Sequence, residues 1–178
     1  MKVFYDIFWV VWVIGLLLVI AYGAVLPFGA PYLPTLNRQK NEALDLLDLK
    51  KGQLFVDLGC GDGSTLALAA ERGLRARGYE LNPFLAFYAW ARTRRYGRRV
   101  KVVWGNFWKA DLSQADGIFV FLIGHYMSKL DNLITGQPHK KIKVVSHAFK
   151  IPGRQAKKNR GALFLYEYPV ITQVANRS

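Results

Sequence analysis

The sequence predicts an α/β fold, an open doubly wound sheet preceded by one membrane-spanning helix. Three observations carry that prediction. The apolar run Phe55-Val56 ends in Asp57, and glycines follow at 59, 61 and 63, as in a buried strand entering a tight turn. A second apparent strand, Leu74 to Tyr79, ends in Glu80, twenty-three residues beyond Asp57, so two strands deliver carboxylates to the same end of a sheet. Ile7 to Leu26 is twenty residues without a charge, which as a helix extends about 30 Å and matches a bilayer core.

The order of elements starts from that segment. Trp9, Trp12 and Tyr22 lie toward its ends as interfacial aromatics would, and Pro27 and Pro31 follow the expected stop. A cleaved signal peptide would have a shorter apolar part and a stronger basic start than Lys2 alone, and a buried or partner-bound helix is the remaining rival. The division expected is an anchor over 1–26, a linker over 27–37 and one domain over 38–178. Arg38, Lys40, Lys50 and Lys51 follow the anchor, so the positive-inside rule puts that domain on the cytoplasmic side of a single-pass membrane protein. Residues 37 to 178 hold 24 Lys+Arg against 11 Asp+Glu, the whole net charge of +13. Such a domain is drawn to anionic lipid or to nucleic acid. Pro27 to Leu36 has three prolines and two aromatics, too restricted for a helix and too apolar for a flexible spacer.

In the domain, Ala43, Leu44, Leu46 and Leu47 recur at helical spacing within Arg38 to Leu49, giving an amphipathic helix. The glycines at 59, 61 and 63 suit a turn that exposes bare backbone to a ligand ahead of a helix from Ser64 to Arg72, stopped by Gly73. A dinucleotide fingerprint needs glycine where Ser64 stands, and no Walker ending follows, so hydride and phosphoryl transfer lose weight. Glu80 is placed to take both hydroxyls of an adenosine ribose. Asn82 caps a helix begun by Pro83 and running to about Tyr96, closed by Gly97. Its tail, Arg92 to Lys101, is a dense basic run, read as a solvated helix end, a contact for anionic lipid or one for nucleic acid. Val100 to Trp104 and Gly117 to Ile123 read as the third and fourth strands, Lys143 to Phe149 and Ala162 to Val170 as two more. Gly124-His125-Tyr126-Met127 falls at the carboxyl end of the fourth strand, where open α/β sheets hold ligands, making His125 and Tyr126 candidates for contact with a second substrate. Between the last two strands, Ile151 to Gly161 reads as a basic, mobile loop, which leaves the sheet truncated at its C-terminal edge or that edge covered by the loop. Cys60 is the only cysteine, and no His/Cys cluster has metal-ligand spacing.

Asp57-Leu58-Gly59-Cys60-Gly61-Asp62-Gly63 together with Glu80 resembles the first two motifs of the class I S-adenosylmethionine-dependent methyltransferases, which have a Rossmann-like fold. Pro31-Tyr32-Leu33-Pro34-Thr35, Gly78 to Pro83 and Phe107-Trp108-Lys109 are similar to the small membrane-anchored lysine methyltransferases, among them those acting on the ATP synthase c subunit and the adenine nucleotide translocase. The resemblance implies S-adenosyl-L-methionine as cofactor, held by Asp57, Gly59, Gly61, Gly63, Glu80, Leu81 and Asn82. It implies that Asn106 stands in place of the usual acid facing the adenine amino group, with Phe107 or Trp108 as the apolar wall beside the ring. Against the plainer reading of a stiff spacer at the membrane exit, it also implies that Pro31 to Thr35 folds over the cofactor and places Tyr32 or Thr35 near the sulfonium, with Tyr32, His125 and Tyr126 lining the site of transfer to a lysine of a membrane protein. Methylation of a lipid or quinone-like molecule, and a non-catalytic adenosine- or nucleic-acid-binding module, are the alternatives, with nucleic acid disfavoured by the anchor.

Overall fold

The computed structural model describes residues 2–23 and 37–172. Helix α1 spans Lys2–Gly23 and α2 spans Asn37–Leu47. The domain then alternates β1 (Leu54–Leu58), α3 (Ser64–Glu71), β2 (Arg75–Glu80), α4 (Pro83–Thr93), β3 (Val100–Trp104), β4 (Gly117–Val120), α5 (Met127–Thr135), β5 (Ile142–His147), β6 (Lys158–Arg160) and β7 (Leu163–Tyr168). The seven strands form one sheet in the order β3-β2-β1-β4-β5-β7-β6. Strands β1 to β5 are mutually parallel, and β7 runs antiparallel to both β5 and β6. β1 and β4 sit at the centre with every residue buried, as continuous apolar strands do when helices cover both faces. The direction of winding reverses between them, which places a crevice at their carboxyl ends.

One face of the sheet is filled by a core that joins Val56, Ile118, Val144 and Tyr166 to Met127, Leu130 and Ile134 of α5. The other face joins Phe55, Phe119, Val145 and Leu165 to Ala43, Leu44 and Leu47 of α2, Leu66 and Ala69 of α3 and Ala89 of α4. The result is three layers, with α2, α3 and α4 in one outer layer.

Three expectations change. The sheet is not truncated. β6 lies inside the segment read as a mobile loop, and its three residues pair with Leu163 to Leu165 of β7. All three, Lys158, Asn159 and Arg160, are exposed, so the strand has no apolar alternation to betray it. Basic side chains are a common guard for an open sheet edge. α5 also escaped the sequence reading, because the helix has only nine residues and its buried stripe is just Met127, Leu130 and Ile134. The spanning helix is the third. α1 forms over much of the uncharged segment, yet among the described residues no helix is long and apolar enough to cross a membrane.

Candidate active site

The crevice is built from the ends of five parallel strands. Leaving β1, the backbone N–H groups of Gly59 and Cys60 both donate to the Tyr79 carbonyl, at 3.0 and 2.9 Å, which fastens the turn to the end of β2. The chain then reverses through left-handed glycines, with φ of 95° at Gly59, 52° at Gly61 and 73° at Gly63. A Cβ on Gly59 would meet nothing within 4 Å, so bare backbone faces open space there. A Cβ on Gly63 would lie 2.8 Å from Ala89 Cβ and 2.9 Å from its Cα, so this glycine lets α3 start against α4. Asp62 serves the new helix: its Oδ1 accepts from Ser64 N at 3.1 Å and from Ser64 Oγ at 2.5 Å.

Glu80 is the clasp of the site. Its side chain is buried, Oε2 accepts from Gly61 N at 2.9 Å and Oε1 from Asn82 N at 2.8 Å. One carboxylate thereby ties the glycine turn to the turn that begins α4. Each oxygen keeps a second lone pair, which leaves room for the ribose contact expected of this residue. Asn82 caps α4 as the sequence indicates, its side-chain oxygen accepting from Phe84 N and Leu85 N. Leu81 contributes its carbonyl, which accepts from Trp104 Nε1 at 3.1 Å. Asp57 is buried at the end of β1, and that burial, with the Glu80 charge nearby, pushes its carboxyl up to about 7. Lys40 on α2 pulls the other way. This lysine is buried and donates to Ser64 Oγ at 2.6 Å. Sequence reasoning missed it as a site residue, although it precedes Ala43, Leu44 and Leu47 by three, four and seven positions, which is the buried stripe of the helix. Lys40, Asn41, Ser64, Ala67, Arg92 and Arg95 line a cleft of about 450 Å³ between α2, α3 and α4. Arg92 is paired there with Asp62 Oδ2 at 3.1 Å.

The other side of the crevice is aromatic. Phe107 and Trp108, in the turn after β3, have ring centroids 4.7 Å apart; Trp108 lies 5.9 Å from Tyr126, and Tyr126 3.9 Å from His125. Two turns far apart in sequence are thus brought into one row, over which Lys129 places its ammonium 4.4 Å from the Trp108 ring centre. Phe107 is buried and His125 exposed. Asn106 uses its Oδ1 to accept from Trp108 N at 3.0 Å, so it organises its own turn. Tyr32 lies outside the described residues. His147, at the end of β5, was not anticipated: its ring centre lies 4.5 Å from that of Phe121 with the planes tilted by 48°, burial holds its pKa below the usual value, and its Nδ1 has no hydrogen-bond partner among the described residues. Among the described residues no group of three or more His, Cys, Asp or Glu is arranged to hold a metal ion.

This donor set fits a cationic cofactor with a nucleoside. Two buried carboxylates stand beside a turn whose backbone is bare, and their mutual repulsion is relieved by a positive ligand. Comparison with known proteins gives the same direction. Residues 57–158 match the ANTKMT methyltransferase domain. Over 150 residues, 79% of the chain, it is 31% identical to the lysine N-methyltransferase of the ATP synthase c subunit from Rattus norvegicus, covering 69% of that protein. It is 34% identical over 125 residues to the adenine nucleotide translocase lysine N-methyltransferase of Mus musculus, matching 68% of this chain and 54% of that one. The matches cover 60 to 69% of the length of the vertebrate enzymes named for the ATP synthase. An RNA methyltransferase from Salinibacter ruber, solved with S-adenosyl-L-homocysteine, superposes with a TM-score of 0.69 at 24% identity, over 81% of this chain and 97% of that one. At that identity the likeness speaks for the fold.

Proposed function

Given that the chain belongs to the ANTKMT methyltransferase domain family, we propose that it methylates lysine side chains of a protein in or at a membrane. The family is one of S-adenosylmethionine-dependent protein-lysine N-methyltransferases. The single observation that carries the reading is the Glu80 clasp, which holds the glycine turn and the α4 turn in register around a buried acidic pair.

S-adenosylmethionine, when bound, supplies a methyl group on a positively charged sulfur, and the protein supplies binding and orientation. Asp57 and Glu80 provide negative potential for that charge. The bare backbone at Gly59 leaves room for a ligand to approach closely, and the family resemblance assigns Asn106, Phe107 and Trp108 to the adenine. On the acceptor side, Tyr126, His125 and Trp108 form a partly dry mouth, with Tyr32 assigned to it by the family motif. A lysine entering such a mouth loses its proton to solvent more readily, because burial disfavours the ammonium, and the aromatic faces attract the methyl-bearing sulfonium. Alignment of donor and acceptor contributes the largest share, about 7 to 11 kcal/mol for well-oriented partners. No residue is required as a base. The substrate class follows from the relatives, which are named for the ATP synthase c subunit and the adenine nucleotide translocase.

The same proposal includes attachment of the chain to a membrane through the segment 7–26, with the domain on the cytoplasmic side. It is supported by the exposed apolar surface of α1, where Trp9 is 65%, Val11 62% and Leu17 59% exposed, and by the lack of charge from Ile7 to Leu26. Mass spectrometry of membrane proteins from cells with and without the gene tests the activity: methyl-lysine lost with the gene supports it, and label found only in lipid transfers the acceptor to a small molecule. Extraction tests the attachment. Resistance to high salt and alkali is expected, and release by salt alone would reduce the attachment to electrostatics.

A further inference from the structure

Helix α4 turns Ala86, Ala89 and Thr93 into the sheet and an aromatic surface outward. Phe84 is 59%, Phe87 67%, Tyr88 54% and Trp90 50% exposed. Contiguous exposed apolar side chains of this size mark interaction surfaces. From Pro83 to Arg99 the chain has five arginines and no acid, and Arg94, Arg95, Arg98 and Arg99 are exposed where α4 runs on into a short 3₁₀ turn.

We propose that this face is a second bilayer contact, with its aromatic rings in the headgroup region of an anionic membrane and Arg94 and Arg98 on the lipid phosphates, Arg92 and Arg95 being paired with Asp62 and Glu71 of the neighbouring α3 side. Aromatic rings flanked by basic residues on one helix are the chemistry of interfacial helices, and the absence of acid along the whole stretch complements an anionic surface. The chain's own path agrees. Asn37, where α2 begins, shares a cleft with Arg92 and Arg95, so the strand of chain arriving from α1 joins the domain on this side, and fourteen residue steps reach at most about 50 Å. The inference rests on the membrane reading only for the way α1 brings the domain close, and the experiment separates the two.

The test labels single cysteines with a polarity-sensitive fluorophore in the full chain. Native Cys60 is buried and burial raises its thiol pKa well above normal, so it does not compete. Phe87→Cys reports the α4 face, Tyr88→Cys repeats it, Asn132→Cys reports the exposed side of α5 on the opposite face of the sheet, and Val11→Cys reports α1. On vesicles containing phosphatidylserine, the probes at 87 and 88 are expected to shift to the blue and to lose most of their quenching by neutral acrylamide. On phosphatidylcholine vesicles they remain largely quenchable, and the probe at 132 stays in water on both. Equal quenching at 87 on the two vesicle types overturns the inference. So does shielding at 87 that is the same on both, which gives the face to another stretch of the chain, or to a second copy when the shielding falls on dilution. A water-exposed probe at 11 with shielded probes at 87 and 88 removes the α1 attachment and keeps the α4 contact; the reverse pattern keeps the attachment and removes the contact.

Discussion

Glu80 does two jobs that a sequence motif shows as one. The motif marks it as a ribose ligand, while its two short bonds to Gly61 N and Asn82 N make it a brace. Hydrogen bonds to a charged partner contribute about 1.5 to 3 kcal/mol each, so Glu80→Ala is expected to lower S-adenosylmethionine affinity on the order of a hundredfold and to lower the melting temperature as well. Calorimetric titration and thermal melting check the two effects; unchanged affinity in a folded variant would remove Glu80 from the cofactor site. Asp57 gives a pH test. Its carboxyl is raised from 3.8 to about 7 in the folded chain, so the fold without cofactor holds that proton more tightly than the unfolded chain does. The stability this contributes is present at low pH and is lost as pH rises through the interval between those two values. A cationic ligand reverses the preference, so binding of S-adenosylmethionine should expel a proton near neutrality and tighten from about pH 6 to 8. Titration in two buffers of different ionisation heat measures that proton, and Asp57→Asn should abolish it. Lys40 shows what remained hidden: its place on the buried stripe of α2 is written in the spacing, but a lysine among polar neighbours reads as solvent-facing until Ser64 and Asp57 are seen beside it.

The strand ends were legible because a buried strand, a glycine turn and a capped helix each leave a local signal. Phe55 to Ser64 and Asn82 to Thr93 accordingly fall where the residue types put them. β6 left no such signal, since its register comes from β7 and its side chains all face water. That Trp108, His125 and Tyr126 gather at one mouth was legible from their places at the strand ends; that their rings stand in one row with Phe107 was not, because those contacts depend on the spacing of β3 and β4 across the sheet. Packing between helices was likewise invisible, and Gly63 shows its weight. Gly63→Ala meets Ala89 at 2.8 Å and must hold φ near 73°, a combination that costs about 1 to 3 kcal/mol. The expected result is a lower denaturation midpoint together with weaker cofactor binding, because α3 and the glycine turn move as one. Chemical denaturation of the variant with and without cofactor measures both, and a stability equal to that of the parent would show that α3 and α4 can part without loss.

The strand order separates two basic stretches that the sequence invites one to combine. The arginines following α4 lie by β3, and Lys158 and Arg160 lie on β6 at the opposite edge, six strand spacings or about 29 Å away. They do not make one patch. Neutralising Arg94 and Arg98 is therefore expected to slow methylation of a membrane-embedded protein on anionic liposomes, while neutralising Lys158 and Arg160 leaves that rate unchanged; equal effects of the two pairs would return both to ordinary solvated surface. Deleting residues 1–26 should leave a domain that still binds S-adenosylmethionine by calorimetry, because α2 and the whole sheet close both cores without α1. The layer occupied by α4 has one more consequence. With its outer face on the lipid, this helix becomes a spacer, and the strand ends stand one helix diameter, about 10 to 12 Å, above the headgroups. The active site then has an altitude. A lysine level with the phosphates is out of reach, whereas one carried on a loop or helix end that rises two turns above them arrives at the mouth, so target lysines displayed on stalks of graded length should be methylated fastest at that height.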